Sequence, residues 1–445
     1  MMTLLIVWTG AFIAFIMLGS QSRYGSAGLP LAYFLNLSLI HVPGALLYPE
    51  SQSWENLAIF TETGFEQTVI GIVAFLAAVI FARYIGLSRY CGKARVMNEL
   101  DALALDRLAL FYISVGLFFF MSARFLSNIP SMSSVVGSLT SLIIIGVCLR
   151  LWVAREMGNG GKWWLTVALL PMIPLLTLVK DGFLSYGTGW LLTIISFLLN
   201  QSKRSRISYL FMMPVFFFFA LSVFVNYMAS RDEYRLMAWR GQAEIGDKVK
   251  RIAQIFQNFE WIDYSNPKHR EALVRLNQNP LVGMAVKRLE SGEVAYASGS
   301  TIGTMVLALI PRALWPDKPI VGGGGNVVSE FTGVQFAAGT SVGAGQVLEF
   351  YVNFGTWGVI GGFLLWGWVV GRMDLHLVDC VNRGDQRGFL FWFLVGIAML
   401  QPGGNLLEVV VSLATAALAA KGVGHLLNRR FTGASVVTTH SGSVG

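Results

Sequence analysis

Cysteine is nearly absent from this chain. Cys91, Cys148 and Cys380 are far apart in 445 residues, and such spacing excludes a disulfide framework and a cysteine-rich metal site. The five histidines, His41, His269, His376, His425 and His440, are equally scattered and form no ligand motif, so neither a metal nor a cofactor is expected. Charge is scarce as well. Charged residues make up 13% of the sequence, well below the roughly 25% usual in soluble domains. Familiar enzyme signatures are missing: no Walker A sequence, no dinucleotide fingerprint and no His-Glu-x-x-His. Gly322–Gly325 is a four-glycine run without the rest of a phosphate cradle, and it reads as a flexible loop or as a close approach to a ligand.

What replaces these features is hydrocarbon. Hydrophobic residues account for 54% of the chain, and apolar runs of about 18 to 22 residues, long enough to cross a bilayer, recur along it. The expected fold is all-α: a polytopic transmembrane helical bundle of about 11 spans. The spans are placed near 2–20, 29–48, 68–85, 108–126, 134–153, 163–179, 188–200, 207–229, 346–370, 388–401 and 405–420. The first run has no basic region before it and reads as a retained helix, not a cleaved leader. Gln401-Pro402-Gly403-Gly404-Asn405 reads as a turn between the last two spans. The net charge of +8 is assigned to loop lysines and arginines, so no nucleic-acid partner is expected.

Charge placement orients the bundle. Segment 49–67 holds Glu50, Glu55, Glu62 and Glu66 and no cation, whereas alternate loops collect 18 of the 33 basic residues on one side. The positive-inside rule puts that side in the cytoplasm, with the N-terminus outside and the C-terminus inside. The chain then divides into helices over 1–229, a long extracytoplasmic loop over 230–345, helices over 346–431 and a disordered tail over 432–445. The long loop has apolar faces and helical spacing near 245–260, so short helices are expected in it. A piece near 301–319 is too short to span and reads as re-entrant or interfacial.

That piece contains Ile310-Pro311-Arg312-Ala313-Leu314-Trp315-Pro316-Asp317-Lys318-Pro319. Three prolines stiffen it, so Arg312 and Lys318 are held in place beside the membrane, where phosphate-bearing lipids need fixed cations. Other outward cations are Arg231 and Arg235, one helical turn apart, and Arg288, two residues before Glu290. Lys180 and Arg124 lie at outer helix ends, as does Glu349. For each, a solvated charge or a local ion pair is the competing reading, with Asp232, Glu233, Glu290 and Asp317 as ready partners.

The Pro-rich run resembles a motif of the Wzy-type O-antigen and oligosaccharide repeat-unit polymerases. Thr340-Ser341-Val342-Gly343 and Glu349-Phe350-Tyr351-Val352-Asn353-Phe354-Gly355-Thr356-Trp357-Gly358 also look like that family. The resemblance covers roughly 280–372 at motif level and the whole chain in hydropathy. It implies a GT-C-like bundle with one long outer loop. It also implies a glycosyl transfer: a glycan leaves its polyprenyl diphosphate and joins the distal sugar hydroxyl of another lipid-linked repeat unit. In that reaction Arg312, with Lys318, Arg288 and Arg231, would stabilise the departing diphosphate. Glu349 or Glu290 would take or orient the acceptor proton. Arg235, Arg124 and Trp315 would contact substrate, Trp315 by stacking on a sugar or by anchoring at the interface. Lys180 stands where relatives carry an Arg-Gly pair, and it offers a point charge without the bidentate fork. The implied partners are the polyprenyl-diphosphate-linked glycan, membrane lipid, a flippase and a chain-length regulator. A glycan ligase or a non-enzymatic transporter is the alternative. Transport is disfavoured because the ionisable groups gather at one edge, not at mid-membrane.

Overall fold

The computed structural model describes residues 1–18, 25–47, 55–87, 98–126, 129, 132–181, 184–201, 207–239, 245–257, 259–308, 310, 315, 324–336 and 342–431. Among these, every regular element is a helix. Arg312, Lys318 and the tail 432–445 lie outside the described residues, as do the side chains of Arg124, Lys180 and Arg235.

Helices α1 (Met2–Leu18), α2 (Leu29–Leu47), α3 (Glu55–Leu87) and α4 (Glu99–Leu126) run along the chain before a break into α5 (Met132–Thr140) and α6 (Leu142–Glu156). Then come α7 (Gly160–Leu169), α8 (Met172–Asp181), α9 (Leu184–Gln201) and α10 (Ile207–Trp239). Among the described residues, seven helical stretches are long and apolar enough to cross a membrane: 29–47, 58–86, 99–123, 132–156, 160–179, 346–383 and 406–427. Four shorter apolar helices, 2–18, 184–200, 217–231 and 386–398, fall on the remaining expected segments. Many large apolar side chains face outward, including Val73, Phe81 and Tyr84 on α3 and Leu103, Phe118 and Phe125 on α4. Water would penalise such a surface, whereas lipid tails are its natural solvent. The chain is a multi-pass membrane protein.

Several expected boundaries move. The acidic stretch over 49–67 is not all loop, because α3 starts at Glu55 and carries Glu62 and Glu66 on its first turns. Helix α4 starts at Glu99, so Arg107 is helical, and α10 continues to Trp239 through Arg231 and Arg235. The span expected over 163–179 is two helices, because Pro171 lacks the N–H that would carry α7 into α8.

The long segment carries α11 (Ile245–Gln257), α12 (Pro267–Val274), α13 (Asn279–Glu290), α14 (Ser300–Ala308) and α15 (Gly324–Thr332). Helix α10 receives its first part. Ser222 Oγ accepts the Ile262 amide at 3.0 Å, and the Asn226 side chain bonds both Glu260 O and Glu260 N, at 2.7 and 3.0 Å. These side chains satisfy the extended backbone of 260–262, which would be costly to bury bare. In the turn that follows, the Ser265 hydroxyl and amide both donate to Asp263, which holds this carboxyl below its ordinary value.

Helix α13 is not a free outer helix. It packs into the main core along α3, with Val282, Ala285, Val286 and Leu289 buried. The two backbones meet at glycines: a side chain at Gly64 would collide with the Asn279 carbonyl, and one at Gly283 with the Phe60 carbonyl. Polar contacts fix the start of α13. His41 Nδ1 lies 2.6 Å from Asn279 Oδ1, Asn279 Nδ2 donates to His41 O at 2.8 Å, and Gln278 N donates to Ile40 O at 2.9 Å. Those carbonyls lie beside Pro43, whose ring removes one donor and disturbs the α2 ladder.

Helices α16 (Gln346–Arg383), α17 (Gln386–Ala398) and α18 (Leu406–Phe431) complete the bundle, and 401–405 forms the expected turn. Helix α16 packs most extensively on α3. Its far half meets the ends of α1 and α3 and the start of α2. There Arg83 donates to Leu18 O and Gly25 O at 3.1 and 2.7 Å and lies 3.8 Å from Asp374. Arg150 and Lys162 similarly share Asp106, at 3.5 and 3.0 Å.

Candidate functional site at the α16 kink

Helix α16 is broken. Phe354 (φ −143°, ψ 22°) and Gly355 (φ 62°, ψ −152°) leave helical geometry inside it. The Gly355 values suit only glycine, because a Cβ would clash in this region. A break exposes backbone groups that need partners. The loop after α13 supplies them: Ala297 N donates to Val352 O at 2.9 Å. Asn353 completes the joint. Its Oδ1 accepts the Gly299 amide at 2.9 Å, and its Nδ2 donates to Thr301 Oγ1 and to Glu349 O, both at 2.7 Å. The Asn353-Phe354-Gly355 motif therefore has a physical meaning. Asn grips the start of α14, and Gly permits the bend.

One turn before the kink, Glu349 is only 2% exposed, so it does not snorkel to water. Its Oε2 accepts the Leu406 amide at 2.6 Å, at the N-terminus of α18, where unpaired amides and the helix dipole favour an anion. Asn405 caps the same terminus by accepting Glu408 N at 2.8 Å. Deeper in the bundle, Gln346 bonds the buried Tyr33 hydroxyl, and its amide donates to Pro402 O at 3.0 Å.

Beside the kink, Tyr351 donates to Glu290 Oε1 at 3.0 Å, and the Tyr296 hydroxyl lies 3.6 Å from where a Cβ at Gly355 would be. Tyr351 is 2% exposed, whereas Tyr296 is 41% and Phe354 53% exposed. Arg288 faces elsewhere. Its Nε donates to Glu293 at 3.2 Å and its NH1 to Glu330 O at 3.0 Å, so its charge is already engaged.

The structure thus gathers Glu349, Glu290 and the start of α14, which leads into Ile310 and the half-exposed Trp315. It places Arg288 in an ion pair beside them. Arg231 is half-buried on α10, whose packing partners are α11, α12 and α8. The sequence reading missed Tyr351, Tyr296 and Thr301 as site residues, and saw Asn353 only as part of a motif. Tyr296 and Thr301 carry no local signal, because only the fold brings them to α16. Among the described residues no His, Cys, Asp and Glu cluster has metal-binding geometry.

A family model described as a domain of unknown function, DUF8712, matches residues 93–376, more than half of the chain. The chain belongs to the DUF8712 family. The DUF8712 match includes α13, α14, the kink and Asp374. No curated protein and no solved structure matches the chain.

Proposed function

We propose that this DUF8712 protein polymerises polyprenyl-diphosphate-linked oligosaccharide repeat units into surface polysaccharide at the outer face of the cytoplasmic membrane. The supporting observation is the joint between two motifs that the Wzy-type resemblance links. Asn353, in the helix motif, bonds Gly299 and Thr301 at the start of α14, and α14 leads directly into the Pro-rich run. Arg312 and Lys318 on that run follow the last residue of α14, Ala308, by four and ten residues. In this reading they stabilise the diphosphate as the glycosidic bond breaks. Glu290 accepts or orients the acceptor proton, and Glu349 holds α18 in position.

The reading takes all eleven apolar helices as spans. The end holding Arg83–Asp374 and Asp106 with its two cations then faces the cytoplasm, in line with the basic bias. Deleting the gene should abolish polymer and leave single lipid-linked units that are still made and flipped. Arg312→Ala should lose a charge-assisted contact of about 1.5 to 3 kcal/mol, or roughly ten- to a hundred-fold in polymerisation rate, at normal membrane levels. A glycan profile unchanged by the deletion, or a defect only in small-molecule uptake, removes the proposal. Loss of a single transfer without loss of a product ladder points to a ligase instead.

A further inference from the structure

The outer side of the kink has a composition that the diphosphate chemistry does not use. Glu290 is exposed, and the only described partner of its carboxylate is the Tyr351 phenol on Oε1, so Oε2 is open to a ligand. Tyr351 is buried, so its hydroxyl is a fixed donor that sets the orientation of the carboxylate. Tyr296 and Phe354 present exposed rings at the same joint. Their positions are set by the backbone. Tyr296 would touch any side chain at Gly355, and the Phe354 ring lies where a Cβ at Gly299 would sit 3.4 Å from it. The surroundings are wet, with Ser291, Glu293 and Ser298 exposed on the connecting loop. An oriented carboxylate and exposed aromatic rings at one joint suit a pyranose. Vicinal hydroxyls donate to the carboxylate, and the C–H face of the sugar stacks on a ring.

The sign of the charge narrows the ligand further. The Arg288 guanidinium is engaged by the Glu293 carboxylate and the Glu330 backbone carbonyl. A phosphate or an acidic sugar would meet the Glu290 carboxylate here. We propose that Glu290, Tyr296 and Phe354 form a subsite for a neutral sugar ring, separate from the cations of the Pro-rich run, with Tyr351 as its positioning residue. The inference rests on the polymerase reading, in which this ring is the distal sugar of the acceptor, the one whose hydroxyl is glycosylated. The subsite binds and orients that sugar, and the chain it belongs to extends away from the membrane.

The test uses full-length protein in lipid nanodiscs and the host's repeat unit released from its lipid by mild acid. Saturation-transfer NMR should show the non-reducing sugar protons in contact with wild-type protein. Tyr296→Ala, Phe354→Ala and Glu290→Gln should each weaken binding at least ten-fold, while Tyr296→Phe, which keeps the ring, should bind like wild type. Tyr351→Phe should raise the acceptor KM several-fold and leave the donor KM unchanged, a split that general destabilisation does not give. Wild-type protein without saturation transfer overturns the subsite. So do Tyr296→Ala and Phe354→Ala proteins with unchanged affinity and acceptor KM. Displacement of the sugar by choline or lysine, at concentrations where neutral polyols have no effect, also overturns it and assigns the surface to a cation. These outcomes are separable from failure of the polymerase reading. Polymer that still depends on Arg312 while the Tyr296 and Phe354 variants elongate normally removes the subsite alone, whereas polymer that survives gene deletion removes the reading itself.

Discussion

Glu349 and Asp374 sit on the same helix and make the same kind of contact in different company. Both are almost fully buried, at 2% and 1% exposure. Each caps another helix: Glu349 accepts Leu406 N of α18 at 2.6 Å, and Asp374 accepts Leu29 N of α2 at 3.1 Å. Asp374 also accepts the Ser26 hydroxyl at 2.7 Å and faces Arg83 at 3.8 Å. That guanidinium spends its other hydrogen bonds on two backbone carbonyls, so the group is electrically complete. Glu349 has the Leu406 amide and a second carboxylate, Glu408, nearby. Among the described residues no cation lies within ion-pair distance of it. One end of α16 is therefore a finished electrostatic anchor that staples α1, α2 and α3 together. The other end is held by neutral hydrogen bonds beside a backbone break, at the segment that leads to Arg312. Rigidity is concentrated at the first end, and unused chemistry at the second.

The comparison is broken most directly at its strong end. Asp374→Ala strands a buried guanidinium and should cost about 3 to 5 kcal/mol. The loss should appear as a lower thermal midpoint and less monodisperse protein in detergent. Replacing Asp374 and Arg83 together by Leu and Met should recover most of it, since an apolar pair of similar volume is often neutral. A single-variant cost below about 1 kcal/mol would mean that the pair is a bystander.

A smaller effect is expected at the kink. Gly355→Ala forces a Cβ into a region that favours glycine, at about 1 to 3 kcal/mol. The new methyl would meet Tyr296 at an ordinary contact distance of 3.6 Å, so the cost comes from the backbone. Faster proteolysis within 291–308, with the rest of the bundle still protected, would show that the break is local. Uniform loss of protection would show that the two ends of α16 are not independent.

The smallest change is expected from Glu349→Gln. Glutamine keeps an oxygen for the Leu406 amide and loses only the charge at the α18 terminus, which is worth about 0.3 to 1 kcal/mol. Thermal stability should hardly move, and polymer length should follow it. Loss of polymerisation at unchanged stability would return Glu349 to the role of proton acceptor. A cost near that of Asp374→Ala would reveal a cationic partner for Glu349.

Much of the architecture was legible because it depends on one-dimensional quantities. Length and apolarity place a helix on each of the eleven expected segments, and the proline and glycines at 402–404 mark the last turn. Boundaries were less legible, since α3 and α10 run on into polar residues that hydropathy alone assigns to loops. The Asn353-Phe354-Gly355 run was visible as a motif, but its task was not: a kink needs partners from a loop more than fifty residues earlier in the chain.

What the sequence determined by itself was the solvent. A chain with 54% hydrophobic and 13% charged residues is matched to lipid, and in lipid its backbone must close its own hydrogen bonds as helices. What the tertiary structure decided was the company of each polar group. Glu349 and Asp374 look alike as isolated acids on one apolar helix. Only the packing gives Asp374 an arginine from α3, gives Glu349 the first amide of α18, and brings Tyr296 and Glu290 to the bend in α16. In a medium of low dielectric, those neighbours determine whether a charge anchors the fold or stays available for chemistry.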